Sequence, residues 1–229
     1  IMIQLNRFYY ITLSIFLIIV GLIFSATYTG LFISALLAIT AFRDEKLGLA
    51  YLLLFIPIRP FLAAYNAGFK FIGIFIILAL LCKLLLQYKH NISKLFSFHY
   101  FEIAYFLFCL FGSIVGLING VSIIAVIMQL HTLLLFYIVF YVVSRLFFHH
   151  DDFLFFAKIT FIASVIISIH GLIEKLSLRS MLLPEAWKAL VLAPTNKIRI
   201  YGMAGGPNEL ALYLTLAFLI SLYLLRNAS

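Results

Sequence analysis

The residues best suited to chemistry lie in the segment KIRIYGMAGGPN, which sits between long apolar runs. Lys197 and Arg199 supply two positive charges, and a guanidinium can offer two parallel donors to a phosphate group. Gly202 and the glycines after it allow the backbone to approach a ligand closely. Pro207 and Asn208 predict the start of a helix, with Asn208 as its cap and free N–H groups that attract anions. The segment predicts a phosphate or pyrophosphate cradle; the alternative is an ordinary capped helix start whose cations reach lipid headgroups.

A second group of cations surrounds the segment Pro57-Ile-Arg59-Pro60. Two prolines that bracket an arginine at the end of an apolar run predict a rigid exit from the membrane. Arg59, with Lys70 further along the chain, could face the same anion from the other side. The alternative is a cation at a helix end that contacts the last carbonyl groups.

Other titratable groups give weaker signals. The run His149-His150-Asp151-Asp152 resembles a metal-ligand cluster, but no second cluster accompanies it, so we predict no metal site and no cofactor. His170, near the end of an apolar run, could reach the cradle or could serve a structural role. The sequence contains no Walker motif, no H-E-x-x-H and no G-x-S-x-G.

Composition places the chain in a membrane. Of its 229 residues, 66% are hydrophobic and 10% are charged, and the mean hydropathy is +1.19. A soluble domain is about half apolar. The net charge of +8 is spread over the loops without the dense basic stripe of a nucleic-acid-binding protein. Cys82 and Cys109 lie inside apolar runs and are predicted to be small buried hydrophobes.

The apolar runs predict an all-α protein, a polytopic transmembrane helical bundle with about eight spans in a single domain over residues 1–229. Residues 8–42 are too long for one span of ~20 residues, so we divide them into two short helices. Residues 47–58 are short, which predicts a tilted partial span or a re-entrant element. The remaining spans are predicted at 69–86, 100–118, 121–143, 153–173 and 209–225.

The distribution of cations predicts the orientation. With a cytoplasmic N-terminus, most inside segments are basic, as the positive-inside rule requires. Loop 174–208 is then extracytoplasmic and breaks the rule, because it holds Lys175, Arg179, Lys188, Lys197 and Arg199. Cations kept outside suggest a function in holding an anion.

The sequence resembles the O-antigen ligase/polymerase-like superfamily of bacterial integral membrane proteins in two places. Residues 199–211 match the pattern Arg-x-x-Gly, then Pro-Asn-x-x-Ala, that precedes a span. The stretch from Pro57 to Gly73 is similar to Gram-positive members of teichuronic-acid or capsule type. The resemblance implies a multi-pass protein of the bacterial inner or plasma membrane that acts on an undecaprenyl-pyrophosphate-linked glycan, with a second glycan or a lipid as acceptor. It makes Arg199 a contact of the donor pyrophosphate, with Gly202, Pro207 and Asn208 shaping the loop.

The expected reaction is the transfer or polymerisation of that glycan without a metal, since arginine and lysine can neutralise the leaving pyrophosphate. A transporter or flippase of a polyprenyl-linked or anionic substrate is the alternative, and a non-catalytic scaffold is a third possibility. The chain begins at Ile1 and stops at Ser229 directly after an apolar run, so we expect a piece of a longer protein. The resemblance implies further spans and a later extracytoplasmic loop that carries further functional residues.

Overall fold

A computed structural model describes residues 2–89, 91, 93, 95–146, 148–189 and 199–228. These residues form helices and loops and contain no strand, so the predicted all-α class is confirmed. The helices are α1 (Met2–Ile23), α2 (Thr27–Arg43), α3 (Glu45–Phe55), α4 (Arg59–Tyr65), α5 (Ile72–Gln87), α6 (Tyr100–Ile118), α7 (Ile123–Arg145), α8 (His150–Leu176), α9 (Glu185–Lys188) and α10 (Pro207–Ala228).

Six helices in the described part of the chain are long and apolar enough to cross a membrane, or seven if the bent pair α3–α4 counts as one span. The prediction of about eight is slightly higher. The difference is α2, which has 17 residues and would extend about 25 Å at ~1.5 Å per residue, less than a hydrocarbon core of ~30 Å.

The predicted single domain divides into two compact units. Residues 1–79 and 148–229 form the first unit, and residues 80–147 form the second. In the second unit, α6 and α7 are joined by the predicted turn at Asn119 and Gly120, where Gly120 has φ +79°. Glu102 at the start of α6 is buried and accepts hydrogen bonds from Arg145 (3.1 Å) and Tyr137 (2.9 Å). This buried carboxylate joins the two helices.

One end of the first unit is held by compensated charges. Asp44 caps α3 by accepting from the N–H of Lys46 at 3.0 Å, and it pairs with Arg7 of α1 at 2.7 Å. Asp152, in the first turn of α8, pairs with Arg7 at 3.2 Å and with Lys46. Its carboxylate also accepts from the N–H of His149 at 2.9 Å. The His149–Asp152 run is thus a helix start, and no metal-ligand cluster occurs among the described residues.

Asn66 ties the first two helices to the chain between α4 and α5. Its buried side chain donates to the carbonyl groups of Gly21 (2.9 Å) and Ala26 (3.1 Å) and accepts from the N–H of Gly68 (2.9 Å). A Cβ on Gly68 would collide with the carbonyl oxygen of Thr27, so this position requires glycine. The junction therefore lets α4 end against the α1–α2 connection.

The break between α3 and α4 places Arg59. The two helices meet at an angle of 76°. Pro57 has no N–H to continue the hydrogen-bond ladder, and Pro60 suits the first turn of a new helix, where N–H groups are free anyway. Arg59 begins α4. The predicted partial or re-entrant element is therefore a broken helix pair, and the break presents an arginine at a helix start.

Candidate functional site

The candidate site lies at the end of the first unit remote from Asp152. Asp152 and Glu174 lie near opposite ends of α8, roughly 33 Å apart at ~1.5 Å per residue. The C-terminal half of α8 packs against the short 3₁₀ turn Gly202–Ala204 and the start of α10, and His170 contacts Phe61 in α4. These elements include most of the sequence-predicted site residues.

Two predicted arginines adjoin one apolar cluster. Ile167 of α8, Ala204 and Leu210 of α10 are buried together, and Ile58 and Ile200 pack against them. Because Arg59 follows Ile58 and Arg199 precedes Ile200, their backbones enter the same small region from two distant parts of the sequence. We call Arg59 and Arg199 the arginine pair.

The arginine pair differs from the other arginines. All seven arginines of the chain lie within the described residues. Arg7, Arg145 and Arg179 form ion pairs, and Arg43 and Arg226 also have partners. Arg59 and Arg199 are exposed, and neither side chain makes a hydrogen bond, ion pair or ring contact to any residue that the structure describes. Within the part of the chain that the structure describes, these two guanidinium groups have no counter-charge and are available to an anion.

The two lysines that the sequence predicts for the site, Lys70 and Lys197, add less to it. Lys70 is exposed in the 3₁₀ turn that follows Asn66, and its neighbours pack at the α1–α2 junction rather than in the cluster beside the arginine pair. Lys197 lies outside the described residues. The structure therefore brings Arg59 and Arg199 to one cluster and does not bring Lys70 to it.

Gly205 allows the loop before α10 to approach α4. It has φ +84°, a conformation that favours glycine. A Cβ at this position would lie 3.0 Å from the Cβ of Pro60 and 3.5 Å from the ring of Trp187. A side chain here would push the loop away from the helix start that carries Arg59.

Glu174 is the functional candidate that sequence reasoning missed. Its buried carboxylate accepts from the N–H of Gly202 at 2.6 Å and of Tyr201 at 3.1 Å. It also pairs with Arg179 at 3.0 Å. Arg179 in turn covers the ring of Tyr201 at 4.5 Å and donates to the carbonyl oxygen of Trp187 at 3.4 Å. The sequence held one signal for Glu174: it is a single carboxylate at the end of an apolar run, just before a basic loop.

This arrangement corrects the predicted cradle in one respect. Two consecutive backbone N–H groups, of Tyr201 and Gly202, and the guanidinium of Arg179 converge on the protein's own Glu174. The predicted cradle used other groups, namely Arg199 and the N–H groups at the start of α10. Gly202, with φ +57°, therefore shapes the loop, and its N–H is already engaged. An external anion would be bound by the arginine side chains instead.

The start of α10 also differs from the prediction. The helix begins at Pro207, so Asn208 is its exposed second residue and not its cap. The carboxylate of Glu209, in the first turn of the helix, folds back over Gly206 and fills the space that a Cβ there would need. This negative charge already complements the positive end of the helix dipole, which leaves less of that dipole for a ligand.

His170 contacts the loop, as the sequence allowed. The buried ring packs edge-on against Phe61 at 5.1 Å, and Nε2 donates to the carbonyl oxygen of Leu182 at 2.8 Å. A carbonyl oxygen can only accept, so Nε2 carries a proton in this contact. Nδ1 is buried and has no hydrogen-bond partner among the described residues. His170 thus anchors the loop between α8 and α9 to the start of α4.

Comparison with known proteins adds no assignment. No family model matches the chain, and no curated protein or solved structure matches it. The candidate site therefore has to be interpreted from its own geometry and from the resemblance in its sequence.

Proposed function

We propose that the protein is a bacterial membrane glycosyltransferase of O-antigen ligase/polymerase-like type, which transfers or polymerises an undecaprenyl-pyrophosphate-linked oligosaccharide on the extracytoplasmic face. The observation that carries this proposal is the arginine pair. Arg59 and Arg199 are the two arginines without a partner in the described chain, and both adjoin the cluster of Ile167, Ala204 and Leu210.

The proposed glycan transfer requires positive charge beside the pyrophosphate, and the arginine pair supplies it. An acceptor hydroxyl attacks the anomeric carbon of the lipid-linked sugar, and the bond to pyrophosphate breaks. Negative charge develops on the leaving pyrophosphate, and fixed guanidinium groups stabilise that charge more in the transition state than in the ground state. Each guanidinium can donate two parallel hydrogen bonds to phosphate oxygens. No metal is required in this scheme.

The charged groups at the two ends of the first unit differ in their pairing, which supports a structural role for one end and a binding role for the other. At the Asp152 end, Arg7 and Lys46 are neutralised by Asp44 and Asp152, which is typical of a structural network. At the opposite end, the arginine pair is exposed beside a glycine turn. Exposed guanidinium groups without a counter-charge among the described residues can pair with a phosphate ligand.

The test is glycan transfer by the purified full-length protein in liposomes that contain an undecaprenyl-pyrophosphate-linked oligosaccharide and an acceptor glycan. We expect a longer or newly linked glycan and release of undecaprenyl pyrophosphate. Absence of both products, with a protein that is folded and binds the donor, would contradict the proposed activity.

One observation favours the alternative of a transporter or flippase. The broken pair α3–α4 resembles the discontinuous helices that build substrate sites in transporters. Transporters of that kind usually carry such pairs in two related halves, and the described residues contain one pair. In the liposome test, a transporter would move the lipid-linked glycan across the bilayer without changing its length.

A further inference from the structure

We infer that Glu174 is a positioning residue, which holds Arg199 in its working geometry without contacting the substrate. This inference rests on the proposed function for its catalytic consequence, but its structural content can be tested separately. We call Glu174 and Arg179 with the N–H groups of Tyr201 and Gly202 the Glu174 clamp.

The clamp joins three chain segments at one carboxylate. Oε2 of Glu174 accepts from two consecutive N–H groups, at 2.6 Å and 3.1 Å. Oε1 lies 3.0 Å from Arg179, whose guanidinium reaches on to the carbonyl oxygen of Trp187. Hydrogen bonds to a charged acceptor are stronger than neutral ones, and burial at 1% exposure removes the competing water. The loop is therefore fixed to the last turns of α8.

The clamp acts on Arg199 through a short and constrained connection. Tyr201 and Gly202 follow Arg199 by two and three residues. Between them, Ile200 is held by its place beside the apolar cluster, and its methyl group would lie 3.0 Å from a Cβ on Gly171. The hydrogen bonds of the Tyr201 and Gly202 N–H groups and the packing of Ile200 together restrict where the guanidinium of Arg199 can lie. A misplacement of ~1 Å in a catalytic group can cost ~10²-fold in rate.

Removing the charge of Glu174 should therefore disable Arg199 indirectly. In Glu174→Gln, one amide oxygen can still accept from the loop, but Arg179, with 16% of its side chain exposed, loses its counter-charge. The double variant Glu174→Gln with Arg179→Gln removes that unpaired charge and allows amide–amide hydrogen bonds. We expect the single variant to release the loop and the double variant to restore much of its order.

The structural test uses electron-spin distance measurements on the full-length protein in nanodiscs, with spin labels at positions 59 and 199 and with Cys82 and Cys109 replaced. We expect a narrow distance distribution in the parent, a broad one in Glu174→Gln, and a largely restored one in the double variant. Glu185→Gln is the matched control, because Glu185 is an exposed carboxylate at the start of α9, outside the Glu174 clamp, and it should leave the distribution narrow. An unchanged distribution in Glu174→Gln would overturn the inference.

The catalytic readout separates positioning from folding. In an unlabelled protein with both arginines, Glu174→Gln should lower kcat for glycan transfer by about 10²-fold with little change in KM for the donor. The double variant should regain at least tenfold. A fall in folded protein without a change in kcat would refute the positioning role. If the parent transfers no glycan, the proposed function fails, while the distance measurement still decides whether the clamp orders Arg199.

Discussion

Arg199 is the residue on which the proposed chemistry depends most. It is exposed and makes no polar contact within the described residues, so its replacement removes little packing. Its neighbour Ile200 contributes the local packing instead. A loss of function at Arg199 would therefore report on ligand binding and catalysis and not on folding.

We predict that Arg199→Ala lowers glycan transfer by the full-length protein by ~10²–10³-fold at normal membrane levels, the usual cost of one contact that strengthens in the transition state. Arg199→Lys should restore little, because an ammonium group keeps the charge but cannot form the planar fork. Lys197→Ala should have a smaller effect, since other cations of segment 174–208, such as Lys175, can replace a flexible charge. Transfer rates of the purified variants test this prediction. A parent-like rate in Arg199→Ala would contradict the anion-binding role and leave the segment with only the structural role of starting a helix.

At the scale of elements, Asp152 fixes α8 against α1 and α3. Its carboxylate is mostly buried and pairs with Arg7 and Lys46, both of which are also mostly buried. Breaking a buried ion pair by removing one partner is costly, because the remaining charges stay desolvated.

We predict that Asp152→Asn lowers the free energy of unfolding by about 3 kcal/mol, measured by SDS titration in mixed micelles. Asp151→Asn is the matched control, because Asp151 is exposed in the same helical turn, and it should change the free energy by less than about 0.5 kcal/mol. Equal effects of the two substitutions would show that the network does not hold these helices together.

The elements also show what the sequence could and could not predict. Helices were predictable from hydropathy, because a chain in hydrocarbon must satisfy its backbone groups within each segment. The break at Pro57 and Pro60 was indicated by proline chemistry. The packing of Ile58 and Ile200 against one cluster was not, because they are far apart in sequence and any apolar side chain could fill their places. The partners of Glu174 were hidden for a related reason: they are backbone N–H groups, which every residue type except proline carries.

At the scale of the whole molecule, orientation decides whether the arginine pair can meet the proposed substrate on the extracytoplasmic face. Arg7 and Asp152 lie at one end of the first unit, and Glu174 lies at the other end of α8. The predicted cytoplasmic N-terminus would therefore place the candidate site on the extracytoplasmic side.

We predict that a cysteine at position 186 reacts with a membrane-impermeant maleimide added outside intact cells, whereas a cysteine at position 151 reacts only after permeabilisation. Ala186 and Asp151 are both exposed, and neither belongs to the proposed binding machinery. The measurement uses a background without Cys82 and Cys109, and the inverse labelling pattern would contradict the external site.

The affinity of the purified full-length protein for undecaprenyl pyrophosphate in nanodiscs tests the central claim most directly, because it asks whether Arg59 and Arg199 bind one anion. A charge-assisted hydrogen bond contributes about 1.5–3 kcal/mol, so we predict that Arg59→Ala and Arg199→Ala each weaken binding by at least about tenfold. Their double variant should weaken it by less than the product of the two effects, since both arginines contact the same pyrophosphate. Lys158→Ala, which removes an exposed cation from α8 outside the candidate site, should bind as tightly as the parent. Parent-like binding by both arginine variants, or an equal loss in Lys158→Ala, would contradict the account.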